Sequence, residues 1–254
     1  MIYIVSHKPE KLPELPGYVP IQVGGASDSF PGYLRDDTGE NIARKNPYYC
    51  ELTAMYWIWK NRNDDFKGLV HYRRYFGKAP FSSRFSDIAG YDELRDMLED
   101  CDIIAAQPAR YHVNAREQLL MDCCEPWDLY ALEDVVSELQ PDYTRAFRVF
   151  FAGNRCAQYN MLFCRGERFD AYCAWLFPLL FALEDRVDLS GRSDYQKRLY
   201  GFLSERLMNV WIAHNELRVK YLPVVSTAYT LRDHLTYFRR DLTNELRFRL
   251  SGNK

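Results

Sequence analysis

The sequence has no excess of charge of either sign, no apolar run long enough to cross a bilayer and no paired cysteine motif. Lys and Arg number 33 against 35 Asp and Glu, for a formal net charge of −2. Without a basic face to release counterions, a nucleic-acid backbone is not an expected partner. The longest charge-free apolar stretch of the second half, residues 171–183, holds thirteen residues. As a helix it would measure about 20 Å against a hydrocarbon core of about 30 Å, so it cannot span a membrane. The start, Met1-Ile2-Tyr3-Ile4-Val5-Ser6-His7, has no basic segment followed by a long apolar one. It reads as a first strand rather than a signal peptide, and the expected location is the cytoplasm. Seven cysteines, Cys50, Cys101, Cys123, Cys124, Cys156, Cys164 and Cys173, include one adjacent pair and no C-x-x-C. Free, reduced thiols are expected, and His112 with Cys123 and Cys124 fits no zinc spacing. Gly24-Gly25 lacks the G-x-G-x-x-G spacing, and no P-loop occurs. Repeats and low-complexity segments are missing too, which leaves a single compact unit.

What is present is a globular composition, 47% hydrophobic and 15% aromatic, with strand-like and helical patterns in alternation. Strands are expected at 2–5, 21–23, 68–71, 102–106, 159–164 and 219–225. Asn46-Pro47 should open a helix, the Asn capping its free amides and the Pro taking the first turn. Further helices are expected at 91–99, over 126–151 with a break at Gln140-Pro141, at 169–186 and at 195–214. Strand, helix and strand in this order favour a parallel α/β sheet. In the tail, residues 228–254, Leu231, Leu235, Phe238, Leu242, Leu246 and Leu250 recur every three or four positions beside Arg232, Arg239, Arg240, Arg247 and Arg249. This amphipathic helix has two readings: packed on the body with solvated arginines, or docked peripherally on an anionic membrane surface.

Ligands of open α/β sheets bind beyond the carboxyl ends of strands, so polar residues directly after apolar strands are the first candidates. His71-Tyr72-Arg73-Arg74 follows Gly68-Leu69-Val70 with no turn residue between. Continued strand alternation would put His71 and Arg73 on one face and Tyr72 and Arg74 on the other. Guanidinium groups there suit a diphosphate ester, the alternative being a structural network with Asp64 and Asp65. His7-Lys8 after the first strand supports the same argument more weakly. Within the polar segment 32–46, Asp36-Asp37 could hold a cation or a sugar hydroxyl, unless neutralised by Arg35, Arg44 or Lys45. Glu205 in Ser204-Glu205-Arg206 is the best placed carboxylate for a general base, with pairing to Arg206 or Arg198 as the structural alternative.

Several long motifs occurring in order give this sequence a resemblance. Asp36-Asp37-Thr38-Gly39-Glu40-Asn41-Ile42, Lys45-Asn46-Pro47-Tyr48-Tyr49-Cys50-Glu51, Gly68-Leu69-Val70-His71-Tyr72-Arg73-Arg74-Tyr75-Phe76 and Ser204-Glu205-Arg206-Leu207 carry it. They resemble a bacterial capsular and exopolysaccharide glycosyltransferase family, formerly known only as a domain of unknown function and including galactofuranosyltransferases. The likeness runs over residues 2–225.

The resemblance implies an α/β, GT-A-like domain over residues 1–227, with a mainly parallel central sheet and a helical C-terminal part. It implies transfer of a sugar, galactofuranose from UDP-galactofuranose in the first instance, to a polysaccharide or lipid-linked glycan. Many GT-A enzymes hold a divalent cation with Asp-x-Asp at the end of a central strand. Here His71-Tyr72-Arg73 stands at that place, so no metal cofactor is expected and Arg73 and Arg74 would stabilise the leaving diphosphate. His7, Lys8, Asp37, Asn41, His71, Tyr72, Arg73 and Arg74 are the expected donor-binding residues. Asn160 and His112 are expected on the acceptor side, and Glu205 as the base of an inverting transfer. The competing reading is a non-catalytic nucleotide-sugar or glycan-binding module.

Overall fold

The computed structural model describes residues 1–25 and 28–251; the last three residues of the expected tail segment lie outside it. The chain begins with β1 (Ile2–Ser6), β2 (Tyr18–Gln22) and β3 (Leu34–Arg35), and then forms α1 (Asn46–Tyr49) and α2 (Leu52–Asn61). β4 (Phe66–His71), β5 (Arg74–Phe76), α3 (Tyr91–Met97), β6 (Ile103–Ala106) and β7 (Ala109–Arg110) follow. Three helices come next: α4 (Ala115–Asp122), α5 (Pro126–Leu139) and α6 (Thr144–Ala152). β8 (Arg155–Cys156), β9 (Leu162–Arg165), α7 (Gly166–Glu184), α8 (Leu199–His214), β10 (Val219–Leu222), β11 (Val224–Ser226) and α9 (Leu231–Leu250) complete it.

The main sheet runs β10-β6-β9-β4-β1-β2-β3. Its pairs β1–β2, β1–β4, β2–β3 and β6–β10 are parallel. β9 is antiparallel to both neighbours, β4 and β6, and β5 and β11 form an antiparallel extension beside β4. The expected mainly parallel α/β sheet is therefore present, with one reversed strand near its centre. β1 is buried along its whole length, as expected for a strand covered on both faces. Alternation then divides its side chains, Tyr3 and Val5 entering one core with α2, α5, α7 and α8, and Ile2 and Ile4 entering the other with α3.

The 171–183 stretch lies in α7 and is spent on the larger core. Phe177 stacks on Trp59 of α2 at 5.7 Å between ring centres, and Tyr172 contacts Trp211 of α8 at 5.1 Å. Among the described residues no helix is long and apolar enough to cross a membrane.

The helix expected after Asn46-Pro47 is broken in two at Cys50, whose φ is +51°. Asn46 does not cap it. It is the first residue of α1, and its amide donates to the Cys50 carbonyl at 2.8 Å and to Thr53 Oγ1 at 3.1 Å, bridging the break. The expected single strand 219–225 is likewise two, because β10 pairs with β6 while β11 crosses to β5.

α9 packs on the body through polar groups. His234 meets Ser83 at 2.9 Å, Asn244 donates to the Arg110 carbonyl at 2.8 Å, and Glu245 pairs with Arg155 at 3.1 Å. Its leucine row faces outward, with Leu231, Leu246 and Leu250 65%, 62% and 86% exposed.

A buried bidentate pair fixes the segment between α7 and α8. Arg192 donates to both carboxylate oxygens of Asp128 on α5, at 2.7 and 2.8 Å, and Asp128 is fully buried. Truncating Asp128 leaves the buried Arg192 with only the more distant Glu125 carboxylate, at 3.8 Å, and removes the acceptor of the Glu125 amide at the start of α5. Asp128→Ala is expected to destabilise the protein by about 3–5 kcal/mol, measured by denaturant unfolding, with the loss reduced in the Asp128→Ala/Arg192→Leu double variant.

Candidate active site

A cleft of about 650 Å³ opens at the carboxyl edge of the main sheet. Val5 and His7 come to it from the end of β1, Val23 from the end of β2, and His71, Tyr72 and Arg74 from the β4–β5 turn. Because β9 is reversed, the segment that precedes it delivers Gln158 and Tyr159 to the same edge. The broken α1–α2 junction contributes Cys50 and Glu51, Arg198 comes from just before α8, and α8 itself contributes Phe202, Glu205 and Arg206. Gly201 lets α8 come close to that junction, since a Cβ on it would lie 3.3 Å from the Cys50 sulfur.

The strand alternation expected through residues 71–74 stops at His71. β4 turns at Tyr72-Arg73 and returns as β5, with His71 paired opposite Arg74. Residues directly opposite in an antiparallel pair project to the same side. Arg74 therefore joins His71 at the cleft and lies over the Tyr159 ring at 4.5 Å. Arg73 turns outward, stacks on Tyr72 at 4.9 Å and pairs with Glu10 at 3.2 Å, so it is not among the lining residues. The expected partnership of Arg73 with Arg74 is replaced by one between Arg74 and Arg198. Arg198 donates to the Cys50 sulfur at 3.2 Å and lies over Phe202 at 5.2 Å. Neither Arg74 nor Arg198 has an ion-pair partner among the described residues.

The other expected site residues divide. His7 lines the cleft, edge-on to Tyr72 at 5.3 Å, whereas Lys8 is drawn to Glu10 at 2.9 Å. Asp37 is held by Arg35 through two hydrogen bonds, at 2.9 and 2.5 Å, and does not reach the cleft. Asp36 is buried beside Thr53, and burial pushes its carboxyl up to about 6. Asn41 folds back on its own loop, donating to the Gly39 carbonyl and accepting from the Ala43 amide. His112 follows β7 and is not among the lining residues.

Asn160 is fully buried and is not among the residues that line the cleft. It donates to Glu51 Oε1 at 2.7 Å and to the Gly201 carbonyl at 3.1 Å, and accepts from Ser204 Oγ at 2.9 Å. It thus orients a carboxylate, Glu51, that sequence reasoning passed over. Glu51 stands within a quoted motif, but nothing in the sequence links it to Asn160 or Glu205.

Glu205 has the environment of a proton acceptor working near neutrality. Its Oε1 accepts from the Tyr159 amide at 2.8 Å and its Oε2 from Arg206 Nη1 at 2.7 Å. Burial, reinforced by the negative charge of Glu51, pushes the carboxyl up to about 7 against the opposing pull of Arg206. His71 is driven the other way, burial lowering its pKa, so it is neutral at physiological pH. Its Nε2 lies 2.5 Å from the Tyr159 carbonyl, which can only accept, so this nitrogen carries the proton and Nδ1 is left as an acceptor.

With this geometry in place, the likenesses to known proteins acquire meaning. The family model described as a domain of unknown function, DUF4422, matches residues 1–216. The chain belongs to that family. It is also similar to the apo structure of WbbM, a bifunctional glycosyltransferase, at 29% identity and a TM-score of 0.81. The match covers 90% of this chain and 45% of that one, so this DUF4422 protein spans less than half of WbbM. No curated protein matches it. The fold is thus the glycosyltransferase α/β fold expected from the motifs, with α9 as its helical C-terminal part.

The raised Glu205 pKa has a consequence for stability. A carboxyl whose folded value exceeds its unfolded one favours the folded state at low pH, and that contribution is lost as pH rises from the unfolded value near 4.5 through about 7. The stability difference between the wild type and Glu205→Gln should therefore fall with rising pH between these values, by about 1–3 kcal/mol. Urea unfolding of both proteins at a series of pH values measures it; a difference independent of pH would mean that Glu205 titrates normally.

Proposed function

We propose that this DUF4422 protein is a glycosyltransferase that uses a nucleotide-diphosphate sugar. The observation that carries the reading is the charge arrangement of the cleft. Two guanidinium groups without carboxylate partners, Arg74 and Arg198, share it with Glu205, a carboxyl poised near neutral pH. An unpaired cation at the rim of a cleft retains its capacity for paired, charge-assisted hydrogen bonds to phosphate oxygens.

In this mechanism the donor diphosphate lies against Arg74 and Arg198. An acceptor hydroxyl gives its proton to Glu205 as its oxygen attacks the anomeric carbon from the face opposite the diphosphate. The anomeric carbon–oxygen bond to the diphosphate breaks, and the two guanidinium groups stabilise the charge that builds on the departing group. The configuration is inverted. Positive charge from the side chains serves where a divalent cation serves in other enzymes of this fold, so transfer is metal-independent. The donor is UDP-galactofuranose and the acceptor a bacterial polysaccharide or lipid-linked glycan. That assignment rests on the motif resemblance and is in keeping with the likeness to a bifunctional glycosyltransferase.

Arg74→Ala and Arg198→Ala are each expected to lower kcat/KM for donor by about 10²–10³-fold. Glu205→Gln should lower kcat by about 10²–10⁴-fold while leaving donor binding intact, and the wild-type rate should rise with deprotonation of a group near pH 7. Activity should persist in excess chelator. Complete loss, restored by added Mg²⁺ or Mn²⁺, would reject the metal-independent mechanism; tight donor binding with neither transfer nor hydrolysis would reject the enzyme in favour of a binding module.

A further inference from the structure

We infer that α9 is an interfacial helix that docks the protein on a bilayer containing anionic lipid. The observation is an inversion of ordinary helix packing. A surface helix normally turns its apolar stripe to the core and its charges to water. α9 does the reverse. Its hydrogen bonds and ion pairs with the body run through His234, Asn244 and Glu245, and of its apolar row only Phe238 meets a ring of the body, that of Phe81. Leu231, Leu235, Phe238, Leu242, Leu246 and Leu250 all remain exposed. Phe81 extends this row from the neighbouring loop, 5.3 Å from Phe238 between ring centres, and is itself exposed. A helix of this length carries the stripe for about 30 Å along the surface.

Charge decides what covers it. Asp233 is occupied in capping its own helix with Thr230, Glu245 is turned to Arg155, Arg110 and Arg249, and Asp241 is half-buried beside Arg110 and Arg240. Arg232, Arg239, Arg240 and Arg247 are exposed and make no ion pair among the described residues. At 100° per residue, Arg232 and Arg239 lie along the edge of the stripe away from the body, with Arg247 and Arg240 beyond them. A second copy laid stripe on stripe would bring arginines against arginines with no carboxylates to meet them. An anionic lipid surface offers both an apolar interior for the leucines and phosphate groups for the guanidinium side chains.

The helix is also coupled to the cleft. It starts shortly after β11, whose Ser226 pairs with Arg74, and the Thr227 amide donates to the Arg73 carbonyl at 3.1 Å. Docking through α9 thereby ties the membrane-bound helix to the strand that carries Arg74. If the transferase reading is correct, a lipid-carried acceptor is met at the membrane surface; the docking itself does not depend on that reading.

The full chain is tested by co-sedimentation with vesicles of phosphatidylcholine alone and of phosphatidylcholine with phosphatidylglycerol. Binding should be at least about tenfold tighter to the anionic vesicles and should weaken with salt. Leu242→Asp with Leu246→Asp should abolish it, and Arg239→Glu with Arg240→Glu should weaken it about tenfold or more, with thermal unfolding unchanged in both because these side chains are exposed. The proposal is overturned if the wild type stays in the supernatant with anionic vesicles, or if both variants bind as it does. It is equally overturned if sedimentation velocity finds a dimer that the Leu242→Asp/Leu246→Asp variant dissolves, because a second copy then covers the stripe.

Discussion

The cleft depends on the reversed course of β9. In an all-parallel sheet the segment entering each strand lies at the edge opposite the ligand site. Reversal places Tyr159 and Asn160 at the carboxyl edge, beside the ends of β1 and β4. Both residues have positive φ, 74° and 51°, a conformation that costs side-chain-bearing residues about 1–3 kcal/mol each and persists only where surroundings hold it. Here the surroundings are groups that line the cleft. The Tyr159 amide binds Glu205, its carbonyl binds His71, its ring lies under Arg74, and the Asn160 amide binds Glu51. One strained dipeptide thus orients groups from α8, β4, β5 and the α1–α2 junction.

The second theme is the division of the cations. Several arginines are paired with carboxylates where they stand, Arg35 with Asp37, Arg73 with Glu10, Arg192 with Asp128 and Arg206 with Glu205. Arg74 and Arg198 are instead supported on aromatic rings, which attract a cation without saturating its hydrogen-bond donors. Neither guanidinium group is thereby tied to a carboxylate, which the proposed diphosphate binding requires. The same logic applies on α9, whose carboxylates are turned to the body or to the helix cap while its arginines stay in solvent.

Legibility in the sequence followed the range of the interaction. The strands 2–5 and 68–71, the long helices at 169–186 and 195–214, and all of α9 were readable because burial periodicity and capping are local. Pairing the α9 stripe with a surface was not, since the stripe itself does not say whether its apolar side meets the body. The motif His71–Arg74 announced cations at a strand exit, yet the reversal at Tyr72-Arg73 exchanged which arginine faces the cleft, and no turn residue signalled it.

By itself the sequence determined that this is an α/β chain without a membrane-spanning helix, with basic residues after a central strand and a carboxylate, Glu205, amid apolar helix positions. Those properties follow from composition and from repeats of two and three to four residues, which the backbone imposes on any chain. Only the tertiary structure decided that Arg198 rather than Arg73 accompanies Arg74, that Asn160 serves Glu51, and that burial between α8 and the β9 entry lifts Glu205 toward neutrality. The physical reason is that charge pairing and desolvation act between groups more than a hundred residues apart in sequence, such as Glu51 and Asn160, and are set by which elements share an edge of the sheet.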